Sequence, residues 1–170
     1  MTLPSVESLI TKLTQALAPF FSSSEIDPII VGIETGGTWI AENICAQLTP
    51  EAEIGRLDIS FYRDDFTRSG LHPTVKPSSL PMDIDDKTVI LIDDVLQSGR
   101  TVRAAMNELF DYGRPKRIVL AVLIDRGERE IPVQADIVAE TVTLPANTHI
   151  KLEGPKPFSL TIKTLEASVE

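Results

Sequence analysis

Val89-Ile-Leu-Ile-Asp-Asp-Val-Leu-Gln-Ser-Gly-Arg-Thr101 leads directly into an apolar-periodic run over residues 102–110. Four consecutive apolar residues, Val89, Ile90, Leu91 and Ile92, read as a strand buried on both faces, and Val102, Ala105, Met106, Leu109 and Phe110 recur at helical spacing. A strand, a short polar loop and a helix start therefore sit together. Such a junction suits a phosphate, because the first N–H groups of a helix lack internal partners and the helix dipole favours an anion there. Gly99 permits close backbone approach, Ser98 and Thr101 bring hydroxyls, and Arg100 brings a positive charge.

Asp93 and Asp94, immediately before the loop, give it a second preference. Two carboxylates aimed at a phosphate would repel it. At the carboxyl end of a strand they can instead accept hydrogen bonds from hydroxyls, or hold a metal, one sugar's length away. The combination suggests a ribose 5-phosphate, with the acids on the 2′ and 3′ hydroxyls and the loop on the phosphate. A strand ending in two acids also occurs in receiver domains and Mg²⁺-dependent phosphatases, so the residues alone leave those alternatives open. Neither the Gly-x₄-Gly-Lys spacing of a Walker loop nor a Gly-x-Gly-x-x-Gly turn is present.

The apolar strand, the two acids and the Ser-Gly-Arg-Thr three residues later resemble the signature of phosphoribosyltransferases of type I fold. Downstream, GRTVRAAMNELFDYGRPKRIVLAVLIDRGEREIPVQADIV is similar to the PyrR family, which are bifunctional pyrimidine-operon regulators with uracil phosphoribosyltransferase activity; upstream the similarity extends through IGRLDISFYRDDF. The resemblance implies an α/β fold of type I, a central and mainly parallel sheet flanked by helices, with a lid loop at about 64–86 and a small C-terminal hood from about 135 on. It implies one phosphoribosyltransferase domain over residues 1–170.

The remaining segments fit that frame. Val6, Leu9, Ile10, Leu13 and Leu17 predict an amphipathic helix that Pro19 and the following serines end, with Thr11, Lys12, Thr14 and Gln15 on its exposed face. Pro28-Ile-Ile-Val-Gly-Ile33 reads as a buried strand, Glu34-Thr-Gly-Gly-Thr38 as a loop, and Ile40, Ile44 and Leu48 as the face of a second helix. Trp39 reads as a packing residue. Leu57, Ile59 and Phe61 alternate with polar residues as in a half-buried strand. Residues 66–85 hold Gly70, Pro73, Pro77 and Pro81 without any period, a long connection of the kind that serves function. Gly113-Arg-Pro115 stops the helix that follows the phosphate loop, residues 118–124 form the next buried strand, and residues 135–139, 149–153 and 158–164 read as short strands, the last two as a hairpin.

By resemblance, Thr35, Gly36 and Gly37 present backbone amides to the diphosphate of the donor, joined by Arg63; Arg68 and Lys76 are lid charges; Val95, Leu96, Gln97, Ser98, Gly99, Arg100 and Thr101 hold the 5′-phosphate; Asp93 and Asp94 are the catalytic acids. The backbone at Ile137 and Val138 reads the edge of uracil, with Arg126 as a base or ion-pair contact. The implied reaction joins uracil to 5-phospho-α-D-ribose 1-diphosphate, giving UMP and diphosphate, with Mg²⁺ carried on the donor rather than by direct protein ligands. Homodimers or homotetramers are implied, and for RNA-binding members an mRNA leader as partner.

Several departures matter. Many members carry Arg at the position of Gly36, so one charge is missing there. Purine-salvage relatives have an acid at the position of Gln97, which cannot act as a general base. RNA-binding members carry basic residues after Asp-Arg-Gly, where this chain has Glu128-Arg129-Glu130 and then Gln134. An alternative is therefore a UMP-sensing regulator of pyrimidine operon expression, through RNA or a protein partner, with little transferase activity.

The bulk numbers bound the rest. The chain has 170 residues, 42% of them hydrophobic, and a net charge of −9, which disfavours a broad non-specific nucleic-acid surface. There is no apolar run of the ~20 residues needed to span a bilayer, and a cytoplasmic protein with no membrane partner is expected. Cys45 is the single cysteine and reads as a core residue at helical spacing from Ala41 and Leu48.

Overall fold

The computed structural model describes residues 2–60 and 77–164. In chain order the elements are α1 (Val6–Ser22), β1 (Pro28–Ile33), α2 (Gly36–Leu48), β2 (Gly55–Leu57), β3 (Thr88–Leu96), α3 (Arg100–Tyr112), β4 (Arg117–Asp125), β5 (Ile137–Thr141), β6 (Thr148–Glu153) and β7 (Ser159–Thr164). Strands β2-β1-β3-β4-β5 make one parallel sheet, and β6-β7 an antiparallel hairpin.

Alternation along the central strands sorts the core into two layers. Ile90 and Ile92 of β3 pack with Leu9, Leu13 and Leu17 of α1 and with Ile40 and Ile44 of α2. Val89 and Leu91 face the other way, onto Val102, Ala105 and Leu109 of α3. A strand apolar on both faces thus takes the centre of the sheet, covered by helices on each side. The hairpin joins the α1–α2 layer through Ile150, Leu152 and Leu160.

The boundaries differ from the sequence expectations in physically instructive ways. Helix α1 does not end at Pro19 but runs to Ser22. A proline deletes the bond to the carbonyl four residues back, here that of Gln15, and both Gln15 and Pro19 are exposed, so that carbonyl remains open to water. Beyond it, Phe20 and Phe21 pack against the core and the Arg117 guanidinium lies 5.6 Å above the Phe20 ring. Thr14, expected on the exposed face, is buried and its hydroxyl donates to the Ile10 carbonyl at 2.9 Å.

Strand β2 stops at Leu57 rather than continuing through Ile59, because the Asp58 carboxylate turns back to accept the Ser60 amide at 2.9 Å. Strand β3 runs through the acid pair to Leu96, since Val95 and Leu96 still pair with Ile124 and Asp125 of β4. Gly36 and Gly37 lie in the first turn of α2 instead of a preceding loop.

Two expected regions are narrower than the sequence implies. Of the predicted lid at 64–86, residues 77–86 are tied to the body: Arg56 and Ser79 exchange backbone hydrogen bonds of 2.7 and 2.8 Å, and Ile84 is buried. The hood does not begin at 135, because β5 is the fifth strand of the main sheet, its start fixed by Asp136, which exchanges bonds with the Leu120 backbone. Among the described residues, the β6-β7 hairpin covers the carboxyl edge.

Candidate functional site

A parallel sheet ordered 2-1-3-4-5 reverses its winding between β1 and β3, and ligands of such sheets bind in the crevice outside the carboxyl ends at that point. Here α2 leaves β1 on one face and α3 leaves β3 on the other. A cavity of about 690 Å³ lies at that crevice, bounded by Thr35, Gly36 and Trp39, by the run from Asp93 to Gly99 with Thr101 and Val102, and by residues 149–152 of the hairpin.

Two helix N-termini reach this cavity. Thr35 caps α2 and Gly99 caps α3; neither makes a side-chain capping bond, and neither helix has an acid in its first turn. The orphan amides at both ends favour anions, so one cavity has two anion-attracting ends. The carboxylates sit between them. Asp93 is buried and its Oδ1 accepts the Asp94 amide at 2.9 Å, while Asp94 Oδ1 accepts the Val95 amide at 2.8 Å. Each acid is thus oriented by the backbone next to it.

Close backbone packing sets the spacing. A Cβ at Gly36 would come within 2.8 Å of Asp94 Cγ and closer still to its carboxylate oxygen, and one at Gly37 would lie 3.1 Å from Asp93 Cα and closer still to the Ile92 carbonyl oxygen. Gly32, which sequence reasoning did not single out, has the same function behind them, since a Cβ there would meet Thr38 Cα at 2.6 Å. Gly36 and Gly37 thus let the start of α2 lie against the end of β3, and Gly32 lets it lie against β1. Gly99 needs its residue type twice over: its φ is +89°, and Ile131 Cγ1 and Val133 Cβ would lie 3.0 and 3.1 Å from a Cβ.

The segment after β4 clasps the loop between β3 and α3. Arg129 donates to the Gln97 carbonyl at 2.9 Å, to the Val133 carbonyl at 2.7 Å and to Asp125 Oδ2 at 2.6 Å. The amides of Glu130 and Ile131 donate to the Ser98 carbonyl at 3.0 and 3.2 Å. Glu128 accepts from Gln97 Nε2 at 3.0 Å and from Arg126 Nη2 at 2.7 Å, and Glu130 accepts from Arg100 Nε at 2.5 Å. Burial pushes the Asp125 carboxyl up, but the bonds from Arg129 and the Gly127 amide, with the Arg129 charge, outweigh it and hold the group below its ordinary value. Glu128 and Glu130 are therefore both bonded to the loop and its neighbours.

Of the residues anticipated at the site, Thr35, Gly36, Asp93, Asp94, Val95, Leu96, Gln97, Ser98, Gly99 and Thr101 line the cavity. Gly37 packs behind the wall. Arg100 points to Glu130 rather than lining the cavity, and Arg126, nearly fully buried, donates Nη1 to the Thr148 carbonyl and leaves Nε without a partner. Ile137 and Val138 are not among the residues that bound the cavity, although Val138 pairs with Val122 and so stands in register with Asp93. Arg63, Arg68 and Lys76 lie outside the described residues. Trp39, beyond its packing on Phe158 at 6.3 Å between ring centroids, also lines the cavity. His149 and Lys151 were missed: their alternation marked a strand, but nothing local showed which face would meet the site. Cys45 is buried in the core, and its burial pushes the thiol up.

The Phosphoribosyl transferase domain family matches residues 5–151. The chain is 48% identical over 166 residues to the Bifunctional protein PyrR of Pseudomonas paraeruginosa, covering 97% of this chain and 98% of that protein. It is 46% identical over 170 residues to the protein of the same name from Pseudomonas syringae pv. tomato, covering 99% and 100%. Among solved structures it is similar to a hypoxanthine-guanine phosphoribosyltransferase of Bacillus anthracis, with a TM-score of 0.65, 22% identity and coverage of 84% and 83%. A purine phosphoribosyltransferase of Pyrococcus horikoshii gives a TM-score of 0.62 at 24% identity, covering 84% and 85%. At that identity the two structures speak to the fold alone.

Proposed function

The chain belongs to the PyrR family of phosphoribosyltransferases, and from that premise we propose that it transfers the 5-phosphoribosyl group to uracil, forming UMP and diphosphate. The observation that carries the reading is the acid pair Asp93–Asp94 held in one cavity between two helix N-termini that have no acid in their first turns. A 5-phosphoribosyl diphosphate has the same order of groups: a phosphate, a pair of hydroxyls and a second, larger anion.

In this reading the amides and hydroxyls of Ser98, Gly99 and Thr101 hold the 5′-phosphate, with Val95, Leu96 and Gln97 setting the loop and Arg100 adding charge nearby. Asp93 and Asp94 accept the ribose hydroxyls, and Thr35, Gly36 and Gly37 receive the diphosphate, with Arg63 as a further candidate and Arg68 and Lys76 as candidate lid charges. N1 of uracil bonds to C1′ as the C1′–oxygen bond to diphosphate breaks, and the N1 proton is lost. Positive charge develops on C1′ and the ring oxygen, so fixed carboxylates beside the sugar stabilise that state more than the ground state. Mg²⁺ comes to this site on the donor, held by substrate oxygens and water rather than by direct protein ligands. Bound there, Mg²⁺ would neutralise charge on the leaving diphosphate.

The base faces the hood. Gln97 rather than an acid beside the base disfavours a purine, and Arg126 retains an unused Nε–H near the start of β6. The backbone at Ile137 and Val138 is the proposed reader of the uracil edge. The test is nucleotide formation by the purified protein with Mg²⁺, phosphoribosyl diphosphate and, in parallel, uracil, hypoxanthine, guanine and orotate. Turnover with uracil alone is expected; turnover with only a purine would overturn the substrate assignment.

The second reading is a UMP-responsive regulator of pyrimidine operon expression, favoured by the name its relatives carry. Two features weigh against an RNA leader as its partner. Lys12, the one lysine on α1, is paired with Glu140 at 3.0 Å, and the Arg129 guanidinium is committed to the clasp. A UMP-stimulated, salt-dependent RNA shift supports RNA regulation, and a flat titration directs the regulatory half toward a protein partner. Homodimeric or homotetrameric assembly and a cytoplasmic location complete the reading; sedimentation equilibrium tests the first.

A further inference from the structure

The described wall of the cavity is poor in cations for its proposed cargo. It has two carboxylates, Asp93 and Asp94, and at Gly36 it has no side chain at all. A doubly phosphorylated sugar entering such a wall meets partial positive charge from the helix ends and full negative charge from the acids. Lys151 is the one lysine or arginine among the described residues that line the cavity.

The path of β6 decides which end of the cavity Lys151 serves. At its start, the Thr148 carbonyl accepts the buried Arg126 guanidinium, which anchors the strand over the end of β4. At its far end, Glu153 pairs with Ser159, and the neighbouring Phe158 ring packs on Trp39 in the first turn of α2. The strand therefore crosses the carboxyl edge from β4 toward the start of α2. Ile150 and Leu152 are buried in the α1–α2 core layer, whereas His149 and Lys151 are exposed and line the cavity. At about 3.3 Å per residue, Lys151 stands roughly 10 Å along from Thr148, in the half of the strand nearer Gly36 and Trp39. Its four-carbon stem carries a point charge with three donors, which suits a diphosphate whose position varies during departure.

We propose that Lys151 of the hood strand contacts the diphosphate of the donor, supplying from across the cavity the positive charge that Gly36 does not. The inference rests on the phosphoribosyl-transfer reading and adds a residue and a direction of approach to it. The leaving group is then held between the backbone amides of α2 and a mobile ammonium from the opposite wall.

The experiment measures binding of phosphoribosyl diphosphate, Mg²⁺-diphosphate and UMP to the full chain by titration calorimetry, with KM and kcat for the donor alongside. The variants are Lys151→Ala, Lys151→Arg and Lys163→Ala, the last removing the same charge from the same hairpin at a residue outside the cavity lining and paired with Glu153 at 3.5 Å. A lost charge-assisted bond predicts that Lys151→Ala weakens both diphosphate ligands about ten- to a hundredfold. It should raise the donor KM in step and leave UMP, which has no diphosphate, within about threefold. Lys151→Arg should restore most of the affinity, and Lys163→Ala should match the parent. Unchanged donor binding in Lys151→Ala, or equal loss of donor and UMP, overturns the assignment while the transferase reading stands. Failure of the parent protein to bind the donor overturns both.

Discussion

At the scale of single residues, adjacent glycines at the start of α2 have separable consequences. A methyl at Gly37 would meet backbone at the end of β3, which cannot move without disturbing the sheet; a methyl at Gly36 would meet the movable end of the Asp94 side chain. Gly37→Ala should lower stability by about 1–3 kcal/mol, read as a shifted urea midpoint. Gly36→Ala should keep its midpoint but lose most of kcat, because Asp94 must swing out of its bond to the Val95 amide. Asp125 offers a pH test. Its folded pKa lies below the ordinary 3.8, so the bond with Arg129 stabilises the fold at neutral pH and is lost as pH falls through 3.8 and the lower folded value. Asp125→Asn should cost about 1.5–3 kcal/mol at pH 7, with the gap to the parent closing below pH 4 in urea titrations. The acids, the phosphate loop and Gly99 were legible in the sequence because their chemistry is local. Gly32, His149 and Lys151 were not, since each matters only for what lies across a gap closed by tertiary packing.

Elements show the same division. Helix α1 begins where Ser5 accepts the Ser8 amide at 3.2 Å, and Ser5→Ala should cost about 1 kcal/mol by denaturant unfolding. Its length was misjudged because proline was weighed without the two phenylalanines that reward continuing past it. Glu128, Arg129 and Glu130 read in the sequence only as positions of a nucleic-acid surface; in the structure they also brace the loop Gln97–Arg100 from behind. Arg129→Met should therefore weaken binding of UMP as well as of the phosphoribosyl donor, and speed hydrogen exchange at the amides of Ser98 to Arg100, with exchange of β3 unchanged. An unaltered exchange pattern would show that the clasp does not hold the loop.

At the scale of the whole molecule, alternating strands and helices made an α/β fold legible, but not that β5 belongs to the main sheet and the hairpin alone forms the hood. Strand runs of similar length and composition fill both positions; the difference is the register Asp125↔Thr141, a non-local fact. The charge of −9 acts at this scale too. With no net basic field, retention of a random-sequence RNA at 150 mM salt should be absent in a filter-binding assay, so any leader binding that appears must come from a local, sequence-specific contact.

The order in which the strands leave the ribosome differs from their order in the sheet. Pro28 of β1 waits for Thr88 of β3 before it has its central neighbour, and the hairpin that covers part of the α1–α2 core and supplies the cavity's outer wall follows every strand of the sheet. A nascent chain released through Thr141 would hold both anion-binding helix starts and the acid pair, yet expose the apolar surface meant for Ile150, Leu152 and Leu160. The edge that bears the cavity is thus completed only after the whole main sheet has been made, and a chain stopped before β6 would carry an uncovered apolar face of the kind that aggregates.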